Sequence, residues 1–383
     1  MSIGKGVFKT MAFDKMIVKK LLKKFDDVPF VVKFPDGEEF KVGEGEPQAI
    51  IRANGGIDMG AVMKSPSLAL GEAYMDKTLE LEKGDLFEIL NMVLAKLEDF
   101  ASDFSGLTKI MKTSTSKKNQ KQEIATHYDI GNEFFELWLD ETMSYSCGYF
   151  KHETDTLYDA QVHKVEHILK KLNLKEGQTL LDIGCGWGYL LIAAAKKYHV
   201  KGVGITLSEE QYKKGQERIK AEGLEGQVEI RLMDYRDLEK SGMTFDRIVS
   251  VGMLEHVSRD NYPLFFKNID KVLNKKGIVL LHYISGRQEH DGDPWIKKYI
   301  FPGGIIPSLR EIIYLIGEYN YYTLDVESLR RHYEKTLLEW SKNYAAKRDV
   351  IDTMFEERFV RMWELYLVSC ASVFLNGICD IHQ

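Results

Sequence analysis

The sequence predicts an α/β fold: a doubly wound parallel sheet, preceded by a smaller, mainly helical N-terminal domain. Three observations carry this. Apolar strand-like runs alternate with helical patterns through the later part of the chain, and such alternation builds a parallel sheet covered on both faces. A strand, a glycine turn and a helix follow one another over 179–198. At 383 residues the chain exceeds what a single core usually serves, so two domains are expected.

Taken in order, Met1 to Lys24 carries seven lysines against Asp14 alone, with apolar residues at 13, 16, 17, 18, 21, 22 and 25 in helical spacing. Such a helix either lies on an anionic membrane surface or packs on its own domain with solvated lysines. Val28 to Val42 alternates apolar and polar around Pro35-Asp36-Gly37, a hairpin signal. Ile57 to Phe104 reads as helical, with breaks at Gly71 and Gly84. Residues 112–122 are polar with four lysines and read as a linker. The expected organisation is therefore an accessory domain over 1–110, a linker over 111–122 and a second domain over 123–383.

In the second domain, strands are expected at 179–183, 201–206, 228–233, 245–251, 277–284 and 321–326, with helices at 189–198, 208–221 and 260–273. Ligands of such sheets sit beyond the carboxyl ends of the strands. Thr206, Asp234-Tyr235-Arg236, Glu255 and His282 all fall there.

Composition narrows the class. The chain is 44% hydrophobic and 29% charged, with net charge −6, which gives no reason to expect nucleic acid. No apolar run reaches the roughly 18 residues that span a bilayer, and the first 30 residues contain no secretory segment. Cysteines 147, 185, 370 and 379 lack C-x-x-C spacing, pointing to a reducing compartment without disulfides or zinc. A cytoplasmic protein is expected.

The most informative stretch is Leu181-Asp182-Ile183-Gly184-Cys185-Gly186-Trp187-Gly188. Glycine lets a ligand approach the backbone closely. The pattern Asp-x-Gly-x-Gly-x-Gly, with an acid two residues before the first glycine, suits loops that hold S-adenosyl-L-methionine (SAM). A dinucleotide fingerprint spaces its glycines differently, and an ordinary glycine-rich connection is the bland alternative. After the second strand, Thr206, or Gln211 on the next helix, stands where an acid would hold ribose hydroxyls; Gln211 equally reads as a surface residue. The Asp234 carboxylate either accepts from the adenine amine or caps a turn. Cys147 as a nucleophile would need a paired base, and none is evident. His256 reads better as a helix-start or buried structural histidine than as a partner of Glu255.

Several motifs occur in one order: His127-Tyr128-Asp129-x-Gly131-Asn132, Tyr145-Ser146-Cys147, the octet, Met233-Asp234-Tyr235-Arg236-Asp237, Ser250-Val251-Gly252-Met253-x-Glu255-His256-Val257 and Asp293-Pro294-Trp295-Ile296-x-Lys298-Tyr299-Ile300-Phe301-Pro302. This set resembles the bacterial cyclopropane-fatty-acid synthases, including the mycolic-acid cyclopropane synthases, over roughly 123–383. Tyr189 departs from the small residue common at that place. The resemblance implies a Rossmann-like SAM-dependent methyltransferase fold. It also implies methyl transfer to the cis double bond of an acyl chain in a membrane phospholipid, then loss of a proton and ring closure. A related lipid methyltransferase without ring closure is the alternative, and a non-catalytic lipid- or SAM-binding module is a third; the joint presence of Glu255, His282 and Tyr333 argues against the last.

By the same resemblance, SAM would meet Tyr145 and Ser146 at its methionine end and Gly184, Cys185, Gly186 and Gly188 in the loop. Thr206 and Gln211 would lie at the ribose, and Asp234, Tyr235 and Arg236 near the adenine. Asp182 would organise the loop. A bicarbonate ion would take the proton, held by Cys147, Glu255, His282, Ile284 and Tyr333, with Cys147 and Ile284 acting through backbone groups. Tyr128, Tyr145, Tyr283 and Tyr333 would offer aromatic faces to a cation. The long segment 286–310 is expected to wall a lipid channel, or else to be a subunit contact. A homodimer peripheral to the inner face of the membrane, with no metal, completes the expectation.

Overall fold

In a computed structural model of the chain, residues 15–96 and 130–383 are described. The expected linker at 112–122, the His127-Tyr128-Asp129 motif and residues 97–104 of the expected helical run lie outside them. Two compact units emerge, and they interleave in sequence. The first holds the described residues of the N-terminal segment, Asp293–Trp295 and Arg348–Asn376; the second holds 130–292, Ile296–Lys347 and Gly377–Gln383.

The first unit contains the expected hairpin: β1 (Phe30–Lys33) and β2 (Glu39–Val42) pair antiparallel around Gly37, whose φ of 86° suits the turn. β3 (Ala49–Ala53) lies parallel to β1, and β4 (Leu79–Lys83) pairs antiparallel with β3, giving the order β2-β1-β3-β4. The helices are Met59–Lys64, Pro66–Met75, Leu86–Ala95, Arg348–Met354 and Glu357–Leu375. Helix outweighs strand here, as expected, but the run from 57 is not all helical. The alternation Leu79-Glu80-Leu81-Glu82 makes β4, and Gly84, at φ 111°, ends it. Gly71 is no break. It sits inside Pro66–Met75 because the Trp295 indole covers it: a Cβ there would stand 2.5 Å from Trp295 Cδ1.

Residues 15–22 are helical. Leu22 and Phe25 pack against Phe30, Val32 and Val42. Lys15 pairs with Asp36 at 2.6 Å, Lys19 pairs with Glu38, and both ammonium groups lie over the Phe34 ring. Of the two alternatives for this basic helix, its described part packs on its own sheet; Lys20 and Lys23 stay exposed.

The second unit is the expected α/β sheet: β5 (Thr179–Ile183), β6 (Lys201–Thr206), β7 (Val228–Leu232), β8 (Phe245–Val251), β9 (Leu273–Gly286) and β10 (Cys379–His382), in the order β10-β9-β8-β5-β6-β7. β5 to β9 are parallel and β10 is antiparallel to β9. The strand expected at 321–326 does not form. Cys379–His382 takes the edge of β9, leaving Tyr322, Leu324 and Val326 exposed. Side chains of β5 alternate: Leu180 joins the core of Val165, Ile168 and Leu169, whereas Leu181 and Ile183 join that of Phe265 and Phe266. Asp182 therefore shares the face of Leu180, toward the helix Leu157–Lys171. The chain leaves β5 in one direction through β6 and β7 and in the other through β8 and β9. The switch between β5 and β8 opens a crevice at the strands' carboxyl ends.

Candidate active site

At this switch point the octet folds as its composition dictates. Gly184, Gly186 and Gly188 have φ of 83°, 54° and 83°, a region costly for residues bearing a Cβ. Gly184 and Cys185 N–H groups both donate to the Ile205 carbonyl, which ties the loop to β6. Gly188 closes the turn onto the helix Tyr189–Tyr198; a Cβ there would stand 2.8 Å from Ile230 Cδ1. Asn132, from the motif at 127–132, accepts from Trp187 Nε1 at 2.7 Å and so pins the loop from outside.

A cavity opens over this loop. It is lined by Tyr145, Ser146, Asp182, Gly184, Cys185, Gly186, Thr206, Gln211 and Tyr235, all expected there. Gly188, Asp234 and Arg236 do not line it. Asp234 caps the short helix Tyr235–Ser241, accepting from the Arg236 N–H at 2.9 Å and from Arg236 Nε at 3.0 Å. Thr206 Oγ1 donates to Gln211 Oε1 at 2.8 Å, so these two form one unit, with Gln211 buried rather than on the surface. The Tyr235 ring packs edge-on to Phe265, and burial pushes its phenol up to about 12.

Asp182 is 3% exposed and its Oδ1 has no partner among the described residues. Burial raises its carboxyl to about 7, with Lys164 pulling the other way. The glycine cradle and this orphaned acceptor fit a ligand carrying an ammonium group. Lys164, Met253 and His256 also line the cavity, and reading the sequence missed the first as a site residue. His256, set aside as structural, faces the cavity edge-on to Phe301 at 5.5 Å; burial lowers its imidazole to about 4.

The remaining expected residues gather beside β9. Glu255 Oε1 accepts from the Ile284 N–H at 2.6 Å. Glu255 Oε2 is buried without a partner among the described residues, and burial raises the carboxyl to about 7. His282 is 1% exposed; its Nδ1 accepts from Gln383 Nε2 at 3.2 Å, which places the proton on Nε2, buried and without a partner among the described residues. Burial lowers this imidazole to about 3, so it is neutral. Ile284 is in register with Ile381 of β10, whose carbonyl accepts from the Leu329 N–H. The Leu329 carbonyl in turn accepts from the Tyr333 N–H at 3.1 Å and faces Cys147 Sγ at 3.8 Å. These links run from Glu255 and Ile284 through Ile381 and Leu329 to Tyr333 and Cys147. Burial pushes the Cys147 thiol far up, so it is no nucleophile. The Ile284 N–H belongs to Glu255; among the described residues His282 Nε2–H and Glu255 Oε2 are left open, a donor and an acceptor that fit a small protonated anion, and Gln383 Oε1 beside His282 is open as well.

Aromatic rings run from Tyr145 in the cavity to Tyr333. Tyr145 stands 5.3 Å from Trp340, and Trp340 stands 6.1 Å from Tyr333, centroid to centroid. Phe301, from the segment 286–310, packs on both Tyr145 and His256. Trp340 and Phe301 were not foreseen as site residues: an aromatic on a helical repeat looks the same whether it fills a core or faces a ligand.

Residues 115–383 match the family model described as mycolic acid cyclopropane synthetase. The chain belongs to this family. A second model, described only as a domain of unknown function, matches residues 17–105. The cyclopropane-fatty-acyl-phospholipid synthase of Escherichia coli K12 is 41% identical over 86% of this chain and 85% of its own. A probable fatty acid methyltransferase of Pseudomonas putida is 39% identical over 93% and 91%. The crystal structure of the mycolic acid cyclopropane synthase CmaA1 with SAH and CTAB superposes with a TM-score of 0.65 at 34% identity, over 69% of this chain and 96% of that one. The family member described here is a SAM-dependent methyltransferase, as its resemblance implied. No helix among the described residues is long and apolar enough to cross a membrane.

Proposed function

We propose that this chain transfers the methyl group of SAM to the cis double bond of an unsaturated acyl chain in a membrane phospholipid and closes a cyclopropane ring. The observations that carry this reading are two open, buried polar atoms, Glu255 Oε2 and His282 Nε2–H, and an aromatic run from Tyr145 at the glycine-loop cavity through Trp340 to Tyr333. The alkene π pair forms the new bond to the methyl carbon, and sulfur keeps the electrons of the broken S–C bond. The cation left on the chain loses a proton from the added methyl group, and that C–H pair closes the ring.

SAM, when bound, supplies the electrophilic methyl; the protein supplies placement. An alkene is a weak nucleophile, so alignment carries much of the rate. Tyr145, Trp340 and Tyr333 offer π faces to the developing cation without trapping it covalently. Bicarbonate is the proposed proton acceptor: His282 Nε2–H would donate to it, Glu255 as carboxylate would accept from its hydroxyl, and Cys147, Ile284 and Tyr333 would border it. Tyr128 lies outside the described residues.

The double bond lies roughly 10 carbons below the headgroup, inside a hydrocarbon core about 30 Å thick. The first unit, with exposed Lys20 and Lys23, is proposed to meet anionic lipid from the cytoplasmic side, and 286–310 to wall the acyl channel. A homodimer is proposed on resemblance. Methyl transfer without ring closure is the second reading, favoured by the Pseudomonas putida relative's name. Incubation with methyl-labelled SAM and vesicles of unsaturated phospholipid tests the proposal: label should appear in the acyl chains, and label absent from lipid would overturn it.

A further inference from the structure

Shortly after Glu255, Arg259 gathers acceptors from separate stretches of chain. It opens the short turn Arg259–Asn261. Its Nε donates to Glu311 Oε1 at 2.6 Å, its Nη1 to Asp291 Oδ1 at 3.4 Å, and its Nη2 to the carbonyls of His290 and Ile306, each at 3.3 Å. His290 and Ile306 face each other across the two legs of the segment 286–310. Each N–H donates to the other's carbonyl at 3.2 Å, and the Gly286 N–H donates to the Pro307 carbonyl at 2.9 Å. Glu311 lies in the first turn of the helix Leu309–Glu318, where it completes a capping box with Ser308. One guanidinium thus ties the outgoing leg, the returning leg and the helix that follows to the stretch 254–261.

That stretch also carries Glu255, whose backbone holds the segment as well: the Glu255 carbonyl accepts from the Ile305 N–H at 3.0 Å. Just before Ile305, Phe301 packs on His256 at 5.5 Å and on Tyr145 at 6.5 Å. The place of the Phe301 ring relative to Glu255 is therefore set at the base of the segment, by Arg259 and Ile305 together. A lysine ammonium, a point charge on a flexible stem, cannot span acceptors on both legs; the planar fork of arginine can. With its side chain 31% exposed, Arg259 is solvated enough that its ion pairs contribute little to folding.

We propose that Arg259 is a positioning residue: it clamps both legs of 286–310 to the stretch that carries Glu255, and so fixes how the acyl chain lies against the carboxylate. This rests on reading the segment as the channel wall and Glu255 as serving proton removal. Misplacing reacting atoms by about 1 Å costs on the order of 10²-fold in rate, so a clamp remote from the chemistry still shows in turnover.

The test is Arg259→Lys, assayed with methyl-labelled SAM and unsaturated phospholipid vesicles, beside calorimetry with S-adenosylhomocysteine. The kcat should fall by about 10- to 100-fold, with S-adenosylhomocysteine affinity within about twofold of the unaltered protein. A plain surface ion pair predicts otherwise, because lysine keeps the charge and would restore turnover. Turnover of Arg259→Lys within about twofold of normal therefore overturns the proposal. An equal loss of S-adenosylhomocysteine affinity also overturns it, since that marks general loosening. Amide hydrogen exchange on the unaltered protein needs no variant: the His290, Ile305 and Ile306 amides should be protected, and exchange at the rate of an unstructured loop overturns the clamp. Failure of the unaltered protein to label lipid at all would instead sink the catalytic reading on which the proposal rests.

Discussion

Glu255 and Ile284 are joined by a 2.6 Å hydrogen bond from the Ile284 backbone N–H to Glu255 Oε1. The bond ties the turn after β8 to the backbone of β9 and fixes which carboxylate oxygen stays open. A glutamate at this place cannot rotate away without abandoning a buried N–H, so Oε2 stays the open oxygen of the pair.

Glu255→Gln keeps the shape and the bond to Ile284 but removes the acceptor charge. Turnover should fall by about 10²–10⁴-fold, while S-adenosylhomocysteine, expected over the glycine loop, keeps its affinity. Steady-state kinetics and calorimetry check this; a variant with near-normal turnover would show that Glu255 takes no part in proton removal.

The same group sets a pH dependence. Burial raises Glu255 to about 7, and it must be ionised to accept a proton. Below that pH the carboxyl is neutral and inactive; above it the carboxylate dominates. The kcat should therefore rise with pH through about 7 and then level off, with no opposing limb from His282, which burial holds neutral there. A pH–rate profile at saturating lipid and SAM checks the sign, since a kcat that falls through this range would assign the wrong protonation state.

Gly71→Ala reverses the usual helix rule. Alanine in a helix interior is ordinarily favoured over glycine by about 1 kcal/mol. Here its Cβ would meet the Trp295 ring at 2.5 Å, and overpacking costs about 1–3 kcal/mol. Thermal unfolding should show net destabilisation, with a lowered melting temperature.

The lysines left exposed beside the packed helix should be those that meet lipid. Lys20→Glu combined with Lys23→Glu should weaken binding to anionic vesicles at low salt, since each near-surface charge contributes about 1 kcal/mol, and should leave neutral vesicles unaffected. Co-sedimentation measures both; unchanged binding to anionic vesicles would remove these two residues from the docking surface.

Where local pattern and tertiary role coincide, the sequence was readable. β5 and its helix occur at their expected bounds because an apolar run, three glycines and a helical repeat each demand the same thing locally. Tyr-Tyr-Thr-Leu-Asp-Val at 321–326 has strand propensity, but the edge of β9 is taken by Cys379–His382, a segment too short to announce itself. Propensity without a free partner makes no strand. Lys164 was invisible for a related reason. It falls among Lys, His and Glu residues of an ordinary amphipathic helix, and only the packing of that helix on β5 turns one lysine inward. Gly71 read as a break because the indole that needs the space comes more than two hundred residues later.

The most direct test of the central claim is incubation with SAM carrying a fully deuterated methyl group and unsaturated phospholipid vesicles, followed by mass spectrometry of the recovered acyl chains. Ring closure by loss of a proton from the added methyl predicts a product that retains two of the three deuterons. Retention of all three would show that the proton leaves from elsewhere on the chain, and would contradict cyclopropanation.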